Sequence, residues 1–87
     1  MIRQKVKIIN ETGLHARPAT KFVQECMAYE CEISINVGGK RVNAKSLLSI
    51  MGLGLKHDAE FTICVEGKQE EEALSTLVTL VESGFGE

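Results

Sequence analysis

Two stretches of this sequence repeat apolar residues at helical spacing, and each has only one face to bury. Ala19, Phe22, Val23, Cys26 and Met27 follow the i, i+3, i+4, i+7, i+8 pattern, and Ala73, Leu74, Leu77, Val78 and Val81 make a second stripe. A helix with a single apolar stripe must lay it on another element. In 87 residues there is one core, so that cover has to come from the remaining chain. The remainder alternates instead. Ile2, Val6 and Ile8 share one parity against Arg3, Lys5 and Lys7; Cys31, Ile33, Ile35 and Val37 repeat the pattern; Phe61, Ile63 and Val65 repeat it again. Alternation with period two is the mark of strands with one buried face.

The punctuation between these runs sets the order. Asn10 to Gly13 reads as a loop, and the first helix starts near residue 16, with Pro18 in the first turn where its missing N–H costs nothing. Gly38-Gly39 supplies the positive φ values of a two-residue hairpin, and "KRVN" returns with Val42. Ser46 is a good N-cap for a short helix holding Leu47, Leu48, Ile50 and Met51, with Gly52 or Gly54 at its end. Gly67 leads from the fourth strand into the last helix, where Glu70, Glu71 and Glu72 complement the macrodipole. Gly84 and Phe85 then read as a C′ glycine with its apolar C″ partner. The order β-α-β-β-α-β-α over residues 1–87 is a single α+β domain. Its economical packing puts the helices on one face of a mainly antiparallel sheet and leaves the other face to water.

Composition excludes several functions. Twelve acidic against ten basic side chains give a net charge of −2, which argues against nucleic acid as a partner. A small RNA-binding α/β domain shares this element order, but the strands lack aromatics on which bases would stack. No run approaches membrane-spanning length, and "MIRQKVKII" is not a signal peptide, so the expected compartment is the cytoplasm. Cys26, Cys31 and Cys64 are an odd number without C-x-x-C spacing and sit among apolar neighbours; they are expected to be reduced core residues. With so few cysteines, and His57 placed in a loop, no metal site is expected.

The stretch "GLHARPAT", residues 13–20, carries the chemistry. It places His15 at the edge of a helix N-terminus, where free N–H groups and the positive dipole end favour anions. A neutral imidazole there offers a ring nitrogen as nucleophile. The Arg17 guanidinium can fork onto phosphate oxygens. A P-loop, clustered carboxylates for magnesium and a nucleotide pocket are all missing from the sequence. This combination suits accepting and holding a phosphoryl group and not making one; from the residues alone, the alternative is an ordinary surface histidine or loose cap at a helix start.

"GLHARPAT", followed by "KSLLSIMGLGL" around Ser46, resembles the histidine-containing phosphocarrier (HPr) family of the bacterial phosphoenolpyruvate-dependent sugar phosphotransferase system. The resemblance covers essentially the whole chain. It implies an open-faced β-sandwich, a four-stranded antiparallel sheet covered on one face by three helices. It implies that His15 accepts phosphate on Nδ1 from phosphorylated enzyme I and passes it to sugar-specific EIIA domains. Arg17 and the helix N-terminus at Ala16 and Arg17 would stabilise the phosphate. Leu47, Leu48 and Met51 match the residues that dock on enzyme I and EIIA. Ser46 matches a serine phosphorylated by an ATP-dependent HPr kinase/phosphorylase, after which the protein serves as corepressor with a catabolite-control transcription factor. Regulatory relatives lack the active histidine, which this chain has. The resemblance further implies a monomer that needs no cofactor, a phosphotransfer component and not a stand-alone enzyme. Asp58 stands where many members have glycine, which implies a turn near left-handed geometry. Ser49 and Gly52 depart from the commonest wording of the second motif, and His57 has no matched role.

Overall fold

The computed structural model describes residues 1–87. In chain order it contains β1 (Ile2–Lys7), α1 (Ala16–Met27), β2 (Glu32–Val37), β3 (Lys40–Asn43), α2 (Leu47–Met51), β4 (Glu60–Glu66) and α3 (Glu70–Glu82), closed by a 3-10 turn at Gly84–Gly86. The order is the expected one, with the closing turn added. The strands make one sheet in the order β1-β4-β2-β3, antiparallel throughout. The last strand in sequence therefore lies inside the sheet, between β1 and β2. β4 is also the most apolar of the four, with Ile63, Cys64 and Val65 buried in succession.

All three helices lie over one face. The α3 helix packs across β1 and β4, and α1 packs against α2, α3 and the closing turn. Ala19, Phe22, Val23 and Cys26 of the first stripe are buried, as are Ala73, Leu77 and Val81 of the second. Phe22 meets Phe61 of β4 edge-on at 6.1 Å and Phe85 of the closing turn at 6.3 Å, and all three rings are fully buried. Such edge contacts suit the ring quadrupoles. One side chain of α1 thus joins helix, sheet and tail. Tyr29 adds a polar tie, its hydroxyl donating to Thr76 Oγ1 at 3.0 Å.

Two expected core positions fall elsewhere. Met27 is 64% exposed. At about 100° per residue it lies roughly 80° around the helix from Ala19, on the edge of the stripe. Cys26 and Cys31 join the apolar core, but Cys64 belongs to the opposite sheet face, sharing parity with Glu60, Thr62 and Glu66. It is covered there by its cross-strand neighbours Arg3 and Ser34. All three thiols are free, and burial pushes the Cys26 thiol up to about 12.

The turns obey the sequence. Gly38 and Gly39 take φ of 56° and 86°, the pair of positive values that a tight hairpin between right-twisted strands requires. Asp58 sits at φ 71°, the left-handed conformation inferred for it. The start of α3 is less regular. Gln69, at φ 60°, caps nothing with its side chain, and Glu70 instead accepts a hydrogen bond from the Gly67 N–H at 3.2 Å.

Because Phe22 contacts two other buried rings from separate parts of the chain, Phe22→Ala is expected to cost about 3–5 kcal/mol in urea unfolding. A loss below about 1 kcal/mol would show that the core closes without it.

Candidate functional site

The loop before α1 is fixed by a close approach. Gly13 has φ 71°, and a Cβ there would lie 2.7 Å from both Leu55 O and Lys56 Cα. Only glycine fits such a position. The neighbouring Leu14 is buried and donates its N–H to Leu55 O at 2.9 Å. Asn10 closes the loop from below, its Nδ2 donating to Gly13 O and its backbone O accepting from the Gly13 N–H at 3.0 Å. These contacts leave His15 no freedom in where it starts the helix.

His15 is the N-cap residue of α1, in extended geometry (φ −84°, ψ −168°), and its carbonyl accepts from the Ala19 N–H at 2.9 Å. Its imidazole caps nothing and is partly exposed. The next two amides, of Ala16 and Arg17, have no acceptor within the protein, and Pro18 has no N–H to satisfy. A ring nitrogen thus stands beside two unfilled donors at the positive end of a three-turn helix. That is an anion site with a nucleophile at its edge.

Arg17 is not idle in this state. Its Nε donates to Glu87 Oε1 at 2.8 Å, and Lys21 Nζ donates to Glu87 Oε2 at 2.7 Å and to Phe85 O at 3.1 Å. The carboxylate of Glu87, its side chain only 17% exposed, occupies the two cations that α1 presents one turn apart. Asn10, Thr12, His15, Arg17, Lys21 and Glu87 together line one open cleft. Glu87 and Lys21 were not foreseen from the sequence, because the contact spans 66 to 70 residues. The usable signal was indirect: two cations at i and i+4 leave room for an anion between them, and a buried aromatic between glycines brings the tail back.

Ser46 is the N-cap of α2, as expected, with its Oγ accepting the Ser49 N–H at 3.3 Å. Of the residues that follow, Ile50 is fully buried and anchors the helix, while Leu47, Leu48 and Met51 are 38%, 85% and 41% exposed. The loop after α2 is the one that braces Gly13 and Leu14, so the apolar patch and the His15 segment adjoin. His57 is a half-exposed loop residue 3.6 Å from Asp58. No three His, Cys, Asp or Glu side chains stand where they would hold a metal ion, and no helix is long and apolar enough to cross a membrane.

The hydrogen bond from Lys21, then that from Arg17, hold the Glu87 carboxyl below its ordinary value of 4.5. A depressed carboxyl stabilises the fold above its unfolded pKa, and that contribution is lost as pH falls through the folded value. Carbon-detected titration should therefore find the Glu87 midpoint below 4.5, moving up toward it in Lys21→Met. An unmoved midpoint would mean that the contact does not persist in solution.

Comparison with known proteins agrees with this geometry. The family description "PTS HPr component phosphorylation site" matches residues 2–83. The HPr-like protein Crh of Halalkalibacterium halodurans is 40% identical over 82 residues, spanning 94% of this chain and 98% of its own. The crystal structure of HPr-C-His from Thermoanaerobacter tengcongensis superposes with a TM-score of 0.96 at 45% identity, covering 100% of this chain and 98% of that one. An HPr dimer from the same organism gives a TM-score of 0.76 at 44% identity, with both chains covered in full. The monomer expected from the sequence therefore has no support among these relatives. The four-stranded open sheet under three helices, the family match over residues 2–83 and these similarities place the chain in the HPr family of phosphotransferase-system phosphocarriers.

Proposed function

We propose that this chain accepts a phosphoryl group on His15 from phosphorylated enzyme I and delivers it to sugar-specific EIIA domains. One observation carries the reading: an uncapped imidazole beside the unpaired N–H groups of Ala16 and Arg17, with the guanidinium of Arg17 itself two residues from His15. In the transfer, the Nδ1 lone pair of His15 attacks the donor's phosphorus. The new N–P bond forms as the donor's N–P bond breaks, and delivery runs the same exchange in reverse. The phosphoryl oxygens are met by the two free amides and by Arg17, which leaves the Glu87 carboxylate to make those contacts. The protein carries the group between partners and is not a stand-alone enzyme. Leu47, Leu48 and Met51 supply an apolar docking surface for both partners. Three free thiols suit a reducing cytoplasm.

Incubation with phosphoenolpyruvate, magnesium and an enzyme I should add one acid-labile phosphoryl group by intact mass, absent from His15→Ala. Unchanged labelling of that variant, with its fold intact, would remove His15 from the role.

A regulatory reading is favoured by one feature besides the similarity to Crh. Ser46 is partly exposed, and its Oγ is engaged only by a 3.3 Å bond. Phosphorylation there by an ATP-dependent HPr kinase/phosphorylase would place a charge of about −1.5 to −2 next to Leu47 and Leu48. Acidic partners would then bind less well, and a basic surface on a catabolite-control transcription factor better. Labelling from ATP should vanish in Ser46→Ala; label that survives the substitution lies elsewhere.

A further inference from the structure

The edge of the sheet beside α3 is unpaired. β1 pairs with β4 on one side only. Ile8 donates its N–H to Ala59 O, continuing the β1–β4 register, so residues of even number exchange bonds with β4. Arg3, Lys5 and Lys7 therefore turn their N–H and C=O groups to the outside, where nothing in the protein pairs with them. Their side chains all lie on the helix-free face. Glu60, cross-strand from Lys7, forms its one ion pair with Lys5 at 3.6 Å; Arg3 and Lys7 have no ion-pair partner. The other face of the same edge is different. Gln4 has inward parity yet is exposed, because α3 does not close over it. The result is a groove between strand and helix, with half-buried Ile2, Leu74 and Val78 along its floor and polar Gln4, Glu71 and Ser75 at its rim.

We propose that β1 receives an extended segment of a protein partner in which acidic and aliphatic residues alternate. Antiparallel pairing with Arg3, Lys5 and Lys7 satisfies their outward amides. Residues directly opposite those three share their face and meet cations, so they must be acidic. Residues between them point into the groove against Ile2, Leu74 and Val78, so they must be apolar. Period two on both chains makes the two requirements compatible. The same charges reject a second copy of this protein. Two β1 edges would set Arg3, Lys5 and Lys7 against one another, and β1 on the β3 edge would meet Arg41. The acidic residues of this face, Glu32, Glu60 and Glu66, are on the two inner strands and out of a partner edge's way.

The test is a titration of the ¹⁵N-labelled protein with a capped peptide of alternating Glu and Val. A peptide of the same composition, with its Glu and Val residues in separate blocks, is the control. The alternating peptide should give saturable shifts in β1 and along Leu74 to Val78 and slow exchange of the Arg3, Lys5 and Lys7 amides, with affinity falling as salt rises. Lys5→Pro removes one outward N–H without touching the β4 ladder and should abolish the response. Arg3→Glu with Lys7→Glu should weaken it about tenfold or more, and decides the matter if the proline variant does not fold. No saturable shift at millimolar peptide, an equal response to the block peptide, or shifts confined to α2 and the His15 loop would each overturn the proposal. In the first case the cations serve only to keep the edge unpaired.

Discussion

The burial of Phe22 between Phe61 and Phe85 is the contact from which the rest of the geometry follows. It sets α1 on the sheet, and it holds the chain beyond α3 against α1. Phe85 takes a left-handed conformation, φ 60°, that a bulky side chain rarely adopts. Complete burial of its ring offsets that strain, and flanking glycines at φ 73° on both sides make the tight curl feasible. The curl is what delivers Glu87 to Arg17 and Lys21. A packing interaction in the core thus decides which anion meets the two cations of α1.

The sheet divides the molecule by chemistry. Toward the helices its buried side chains are almost all aliphatic or aromatic, with Gln4 and Lys40 exposed at the edges; away from them the central floor is small and polar, with Thr62, Cys64, Ser34 and Asn36 as cross-strand neighbours. Arg41 lies across this floor, its Nε donating to Ser34 Oγ at 3.1 Å, which helps to bury Ser34. An open sheet face normally stays wet and variable. Here the cations stand along its two edges and the acids in its interior strands, on the face away from the helices.

Much of this was legible in the residues. Period two and period 3.6 identified three strands and the two long helices, and the glycines and Ser46 marked the return strand and the short helix, because those signals are local and set by backbone geometry; the closing 3-10 turn was not among them. Strand order was not legible: alternation tells which face a strand buries but not which neighbour it has, so the insertion of β4 between β1 and β2 had to come from the structure. Cys64 shows a finer limit. It was expected in the core with the other cysteines, but it lies on the helix-free face, where its burial depends on Arg3 and Ser34 from two other strands. Gln69 is similar, since the helix it precedes is held by a reach-back from Glu70 and not by a capping side chain. At the candidate site, His15 and Arg17 were legible because a helix start is written locally. Glu87 was not, because its role exists only once Phe85 has found the core.

Glu87 also bears on how a carrier of this kind can work. In the proposed relay the phosphoryl group must be held firmly enough to travel and loosely enough to leave. An Arg17 with no partner would sample many rotamers in the empty state, and each loading would have to order it again. The carboxylate keeps the guanidinium and the Lys21 ammonium in place before the phosphoryl group arrives. It is a single charge on flexible exposed cations, so a phosphoryl group of higher charge, also met by the Ala16 and Arg17 amides, can take Arg17 over. When the group leaves, the carboxylate returns. In the proposed relay Arg17 therefore exchanges one anion for another, and the loss of its Glu87 contact offsets part of what the loaded form gains. A small difference is what a reversible relay requires, since any surplus stabilisation of the loaded form would have to be overcome at the next transfer.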